Sequence, residues 1–380
     1  MKIHFSIKNL LAALVFSLAA TAASGQADRM LLVTSDGIRW QEVFSGADSM
    51  LLFDPRFVSD TAAYREKYWA KTAAERRQKL MPFLWSVVEK QGQIQGNRDL
   101  GSRVSLANPL RISFPGYSEI LTGRVDPRVF DNHPWRNRSA NVLQMLANQP
   151  QFSGKTAAFA SWSNLWFALG GRKSTFKINA GSAKMPLKNW KKDPPPEDRK
   201  FWTPAILNTI NRHDTITWRL ATEFWEKEKP SVLYISLMET DLFAHKSRYD
   251  STLDAIHRLD SLVGDLWQKM QNDPEYAGRT ALFLTTDHGR GTTAKNWHRH
   301  NQLTPGSQQI WFAAVSPGLP PLGEVAGDLK KVKAKQFART ISELVGVDFD
   351  KKRRGKAVDL REKAYQESPI SMSDPRAMKK

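Results

Sequence analysis

A chain of 380 residues that is 41% hydrophobic is long enough to bury a sizeable core, and its composition excludes a fibrous or wholly disordered protein. With no cysteine, it has no disulfide framework, no thiol nucleophile and no lipidated cysteine. The formal net charge of +18 creates a field that attracts anionic substrates, nucleic acid or membrane surfaces without choosing among them. Residues 1–25 read as a secretory signal peptide: Lys2 and Lys8 precede an apolar stretch from Leu10 to Ala20 and then small residues, with cleavage just before Gln26; an uncleaved anchor is the alternative. No later segment approaches the roughly 20 apolar residues that a span needs. The expectation is therefore an exported protein, periplasmic or secreted, made of one domain over 26–380.

In chain order, the first apolar run is MLLVTS, ending at Asp36. Ala62 to Val88 carries a helical pattern broken near Pro82, and Asn141 to Ala147 carries another. The stretch 124–229 is expected to include a cap or insertion, with Lys188–Trp202 a proline-rich polar loop. Two further runs, VLYISLMET and ALFLTT, end at Asp241 and Asp287, and Ile310–Val315 is another core strand. Between them, Leu253, Ile256, Leu259, Val263, Leu266 and Met270 predict a helix over Asp250–Met270 with Asp250 and Ser251 as caps, which makes His257 structural or superficial. Near-continuous apolar strands alternating with helices predict an α/β fold, a mostly parallel central sheet with helices on both faces. The three aspartates would then sit beyond the carboxyl ends of strands, where such sheets bind ligands.

Ser113 follows the extended ANPLRI and opens SFPGYSEILTGR. A serine at a helix start lies near backbone amides that also suit an anionic phosphate. It can serve as a nucleophile beside a divalent metal, or simply as a helix cap. Asp241 and His245, four residues apart, face one opening if that segment turns helical. Asp287 and His288 are adjacent as the chain leaves its strand, and WHRHN offers His298 and His300. Aspartate and histidine together are donors that suit zinc or a similar first-row ion.

The order Asp36, Ser113, Asp241-x-x-x-His245, Asp287-His288 and a later histidine resembles the alkaline phosphatase superfamily. Within it the chain is most similar to the type I phosphodiesterase and nucleotide pyrophosphatase branch and its sulfatase-like relatives. VTSDGIRWQEVFSG resembles a first metal loop, SFPGYSEILTGR a nucleophile loop, and TTDHGRG with WHRHN and PGSQQIWFAAVSPG a final metal region. The resemblance implies two divalent ions, expected to be Zn2+: one held by Asp36, Asp287, His288 and the Ser113 oxygen, the other by Asp241, His245 and His300. His300 is preferred to His298 because Trp297 sets the register. It also implies an asparagine near the nucleophile helix that holds a substrate oxygen, Asn132 or else Asn137. The implied reaction is hydrolysis of a small anionic phosphate ester, diester or monoester, through a phosphoseryl intermediate on Ser113.

Two rivals stand beside this reading. Sulfatases of this fold convert a cysteine or serine within C/S-x-P-x-R, and here the arginine position is Tyr117. A non-catalytic secreted polyanion-binding protein would use the positive charge but leaves the aspartates unexplained. No helix-turn-helix, zinc-finger or stacking motif points to specific nucleic-acid recognition.

Overall fold

The computed structural model describes residues 25–133, 137–181, 211–327, 331–349 and 355–361. The expected signal segment lies outside the described residues apart from Gly25, as do the Lys188–Trp202 loop and most of the basic run Lys351–Lys356.

The apolar run Met30–Ser35 is buried on both sides, which is why it shows no polar alternation. In β1 (Arg29–Ser35), Leu31 and Val33 enter one apolar cluster while Met30 and Leu32 enter a second on the opposite face. The same logic forms β4 (Thr156–Ala160), β6 (Val232–Leu237) and β7 (Thr280–Thr286). These four strands and β5 (Lys177–Ala180) are mutually parallel, in the order β7-β1-β6-β4-β5. Beyond β7 the sheet continues through β9 (Phe312–Val315), antiparallel to both neighbours, then β2 (Gln93–Gln95) and β10 (Gly323–Glu324). A small second sheet joins β3 (Val104–Ser105), β8 (Gln309–Ile310) and β11 (Val332–Lys333). The expected α/β architecture with a mostly parallel sheet is what the chain adopts.

Helices cover both faces. One face carries α1 (Trp40–Ser45), α2 (Thr61–Tyr68), α3 (Ala73–Leu80) and the 23-residue helix Tyr249–Gln271, which inserts Leu253, Ile256, Leu259, Val263 and Leu266 into the first cluster. The other face carries α4 (Ser113–Thr122), α5 (Val142–Ala147) and the late helix Phe337–Leu344; Phe114, Tyr117, Ile120 and Leu121 of α4 and Phe337 and Ile341 fill the second cluster. The remaining helices that matter are α6 (Asp214–Glu228) and α7 (Glu239–His245), followed by the long helix as α8 and the late one as α9. Among the described residues no helix is long and apolar enough to cross a membrane.

Several elements differ from the sequence expectation. The Ala62–Val88 pattern breaks at Trp69–Thr72 as well as near Pro82, because Thr72 and Glu75 form a reciprocal capping box that starts a new helix. Residues Leu84–Val88 wind as a π-turn, with Asp260 of α8 accepting the Phe83 and Leu84 amides at 2.7 and 2.9 Å. Asp250 does not cap α8; it lies in the first turn, where its carboxylate receives Arg248, Ser59 and Ser251. The single apolar run Ile310–Val315 serves two sheets, Ile310 in β8 and Phe312–Val315 in β9. Asp241 is not at a strand end but in the first turn of α7. The expected cap region 124–229 also supplies β4, β5 and α6.

Candidate active site

The site lies where β1, β6 and β7 end. Ser35 is opposite both Leu237 and Thr286, so Asp36 and Asp287 leave the sheet side by side. Backbone amides fix the Asp287 carboxylate: Oδ1 accepts from Gly37 at 3.0 Å and from His288 at 2.9 Å. Asp36 Oδ2 receives the Tyr117 hydroxyl at 3.4 Å. Burial and the neighbouring Asp36 carboxylate hold the Tyr117 phenol well above its usual range, so it stays a neutral donor.

Asp241 and His245 arrive on α7, whose start is shaped from elsewhere in the chain. Buried Asp214 accepts the Met238 and Glu239 amides, each at 2.9 Å, and the Ser161 hydroxyl at 2.6 Å. The helical turn places His245 Nε2 3.2 Å from Asp241 Oδ2, as the four-residue spacing required. His300 enters from the loop before β8, with Nε2 at 2.9 Å from His245 Nε2 and 3.5 Å from Asp241 Oδ1.

His288 stands in the middle. Its Nε2 lies 3.2 Å from Asp36 Oδ1, 3.6 Å from Asp287 Oδ2, 3.9 Å from Asp241 Oδ1 and 3.4 Å from Ser113 Oγ. Its ring stacks on His300 with centroids 3.7 Å apart. Both rings are oriented by carbonyls that can only accept: His288 Nδ1 donates to Gly289 O at 3.0 Å and His300 Nδ1 to Arg111 O at 3.1 Å. Each Nε2 is thereby turned to the site. Arg111 presents that carbonyl from a left-handed backbone, φ 56°.

Ser113 opens α4, and the start of this helix is narrower as an anion cradle than its sequence suggests. Asn132 Oδ1 takes the Phe114 amide at 2.8 Å and Pro115 has none, leaving the Ser113 amide alone of the first three. Asn132 therefore lies beside the nucleophile candidate. Asn137 lies further along α4, donating through Nδ2 to Ser118 Oγ at 2.8 Å. Helix and strand end meet closely at Gly116, where a Cβ would lie 2.3 Å from the Asp287 carbonyl oxygen.

The electrostatics describe a cluster short of positive charge. Burial and the Asp36 charge hold Asp287 well above the usual carboxylate range. Burial works against a cation at His288, yet Asp287 and Asp36 outweigh it and push the imidazole up to about 9. Burial, then His288, Arg290 and His245, hold His300 well below its ordinary value and hence neutral. Among the described residues, Asp36 Oδ1 and Asp287 Oδ2 are buried oxygens without a hydrogen-bond partner. Two groups could hold a cation, Asp36 with Asp287 and His288, and Asp241 with His288 and His300. Oxygen and nitrogen donors with orphaned, inward carboxylate oxygens fit divalent ions such as zinc.

His298 is not part of this convergence: its Nε2 accepts from Arg299 at 3.2 Å and its buried Nδ1 has no hydrogen-bond partner among the described residues. Conversely, the sequence did not single out Arg290, Arg111 or Asp214, and it noted Tyr117 only as a missing arginine. Arg290 lies within DHGRG, but nothing in spacing marks a buried guanidinium; the others act through backbone groups or long-range contacts.

The fold and this site define a hydrolase of the alkaline phosphatase superfamily. The chain belongs to the type I phosphodiesterase / nucleotide pyrophosphatase family, whose model matches residues 112–377. No curated protein matches it. Similar solved structures include the phosphonate monoester hydrolase of Silicibacter pomeroyi, 13% identical, covering 90% of this chain and 78% of that one with a TM-score of 0.53. The C-terminal periplasmic domain of EcEptC from Escherichia coli, in complex with Zn, is 12% identical, covering 91% and 89% with a TM-score of 0.51. A protein in complex with its substrate D-glucosamine-2-N,6-O-disulfate is 11% identical, covering 90% and 81% with a TM-score of 0.53. At these identities the likeness is one of fold.

Proposed function

We propose that this protein is an exported phosphate-ester hydrolase in which Ser113 is the nucleophile beside two divalent ions, zinc being the best fit. The observation that carries the reading is the convergence of Ser113 Oγ with two ligand groups that share His288, two of whose carboxylate oxygens are buried and unpartnered. Asp36, Asp287, His288 and Ser113 would hold one ion and Asp241, His245 and His300 the other. When bound, the ions would lower the pKa of the Ser113 hydroxyl and stabilise charge on the phosphoryl group. Ser113 Oγ, its proton lost to solvent, would form a bond to phosphorus as the ester oxygen leaves and takes up a proton from water; a second water would then hydrolyse the phosphoseryl ester, releasing the phosphate product and restoring the serine hydroxyl. The Nδ1 hydrogen bonds of His288 and His300 turn both Nε2 atoms to the site, where a bound ion would take the place of the proton that Asp287 and Asp36 favour on His288. Asn132, its Oδ1 committed to the helix start, would donate through Nδ2 to a non-bridging substrate oxygen.

Tyr117 favours this reading over a sulfatase. It occupies the place of the sulfatase arginine, is fully buried, and hydrogen-bonds Asp36. The test is turnover of p-nitrophenyl phosphate, bis-p-nitrophenyl phosphate and p-nitrophenyl sulfate by zinc-loaded protein, beside Ser113→Ala and a chelated sample. Phosphate-ester turnover lost in both controls supports the proposal, and the preferred ester identifies the substrate class. Turnover of the sulfate alone, or of none, refutes it.

A further inference from the structure

The two ligand groups differ in one respect that their donor atoms do not reveal. Asp36 Oδ1 and Asp287 Oδ2 face His288 Nε2, at 3.2 and 3.6 Å, whereas Asp241 is paired with an arginine as well. That cation is Arg290, buried to 2% exposure. Its Nε donates to Gly37 O at 2.9 Å, its Nη1 to His298 O at 2.7 Å, and its Nη2 contacts Asp241 Oδ1. This is the same Asp241 oxygen on which His300 and His288 converge, at 3.5 and 3.9 Å.

Resting on the two-ion reading above, we infer that Arg290 makes the two half-sites unequal: the Asp36–Asp287–His288 site holds its ion tightly, while the Asp241–His245–His300 site holds a weaker, exchangeable one. The physical cause is competition. A fixed guanidinium neutralises one of the three carboxylates, occupies a lone pair of Asp241 Oδ1, the oxygen that faces His300, and repels an incoming dication at short range. No guanidinium pairs with Asp36 or Asp287 among the described residues: their inward oxygens face His288, itself a ligand of that site. Arg290 is thus a positioning residue that ties the Asp36 turn, α7 and the His298–His300 loop together, with unequal metal affinity as the consequence.

The test is titration of metal-free protein with zinc alone, followed by calorimetry and by competition with a chromophoric chelator. Wild-type protein is expected to bind in two steps separated by about tenfold or more, the scale on which residues behind metal ligands act. Arg290→Gln should tighten the weaker step by about tenfold and leave the tighter one unchanged. Asp241→Asn, which keeps a hydrogen-bond acceptor for Arg290, should abolish the weaker step alone. Two steps of equal affinity in the wild type overturn the inference, as do an unchanged or weakened second step in Arg290→Gln or loss of both steps in Asp241→Asn. If Arg290→Gln does not fold, the wild-type ratio and Asp241→Asn decide the matter. Absence of any saturable zinc binding would refute the two-ion reading itself, whereas equal affinities refute only the inequality.

Discussion

Trp297 sets a two-residue choice between His298 and His300, and the geometry separates the pair by what each imidazole is bonded to. His300 Nδ1 is spent on the Arg111 carbonyl and its Nε2 faces Asp241 and His245; His298 is turned towards Arg299. His300→Ala is therefore expected to lower phosphate-ester turnover by about 100-fold or more, exceeding the effect of residues that merely orient ligands, while His298→Ala stays within about threefold of wild type. Turnover and bound zinc measured on both variants check this, and the opposite ranking would make His298 the ligand. Gly116 offers a second residue-scale prediction. A methyl group there meets backbone, not a flexible side chain, so α4 must move away from Asp287. Gly116→Ala should cost about 1–3 kcal/mol of stability and reduce kcat by more than tenfold, since Ser113 moves with its helix. Chemical denaturation together with initial rates measures both, and unchanged kcat would show that the close approach is not required.

At the scale of elements, Asp260 couples α8 to the π-turn. Burial outweighs two amide hydrogen bonds and pushes its carboxyl up to about 7. Because the folded pKa lies above the unfolded value, the folded state binds more protons between them. The stability contributed is full below about 4 and is lost as pH rises through about 7. Urea unfolding of wild type and Asp260→Asn across pH 4 to 8 should therefore show the wild type losing stability relative to the variant, by a few kcal/mol at most. A difference independent of pH would mean that Asp260 does not titrate in this range. Helix α7 illustrates why element boundaries were only partly legible. The apolar run VLYISLMET reads as one extended segment, but Asp214, 27 residues before Asp241 in sequence and the first residue of another helix, captures the Met238 and Glu239 amides and turns the chain. No local pattern announces a cap delivered from so far away. Likewise Ile310 and Phe312 look like neighbours in one strand, yet they pair in different sheets.

For the molecule as a whole, metal and fold should be linked. The cluster joins two strand ends, α4, α7 and the His300 loop, so an ion that binds only the folded chain stabilises all of them together, by about 2.7 kcal/mol at a free concentration one hundred times its Kd. Chelation is expected to lower the melting temperature. Zinc should restore it in Ser113→Ala, which keeps the aspartates and histidines, but much less in Asp287→Asn. Thermal melts with and without zinc decide this, and equal recovery in both variants would remove Asp287 from the ligand set. The strong positive charge predicts that kcat/KM for an anionic ester falls as salt rises from about 0.01 to 0.15 M, as the Debye length shrinks from about 30 to 8 Å. A flat salt profile would mean that this charge does not steer substrate.

By itself the sequence determined the α/β class, because strands buried on both faces must be apolar throughout. It also carried the candidate donors Asp36, Asp241, His245, Asp287, His288 and His300 in recognisable order around Ser113. Tertiary structure decided where they are placed: Asn132 rather than Asn137 beside Ser113, His300 rather than His298 in the cluster, and Arg290 against Asp241. The reason is that local patterning reports which residues are buried and how each segment winds. Which oxygen keeps a free lone pair depends on partners brought together from distant parts of the chain, and only the packed fold sets those distances.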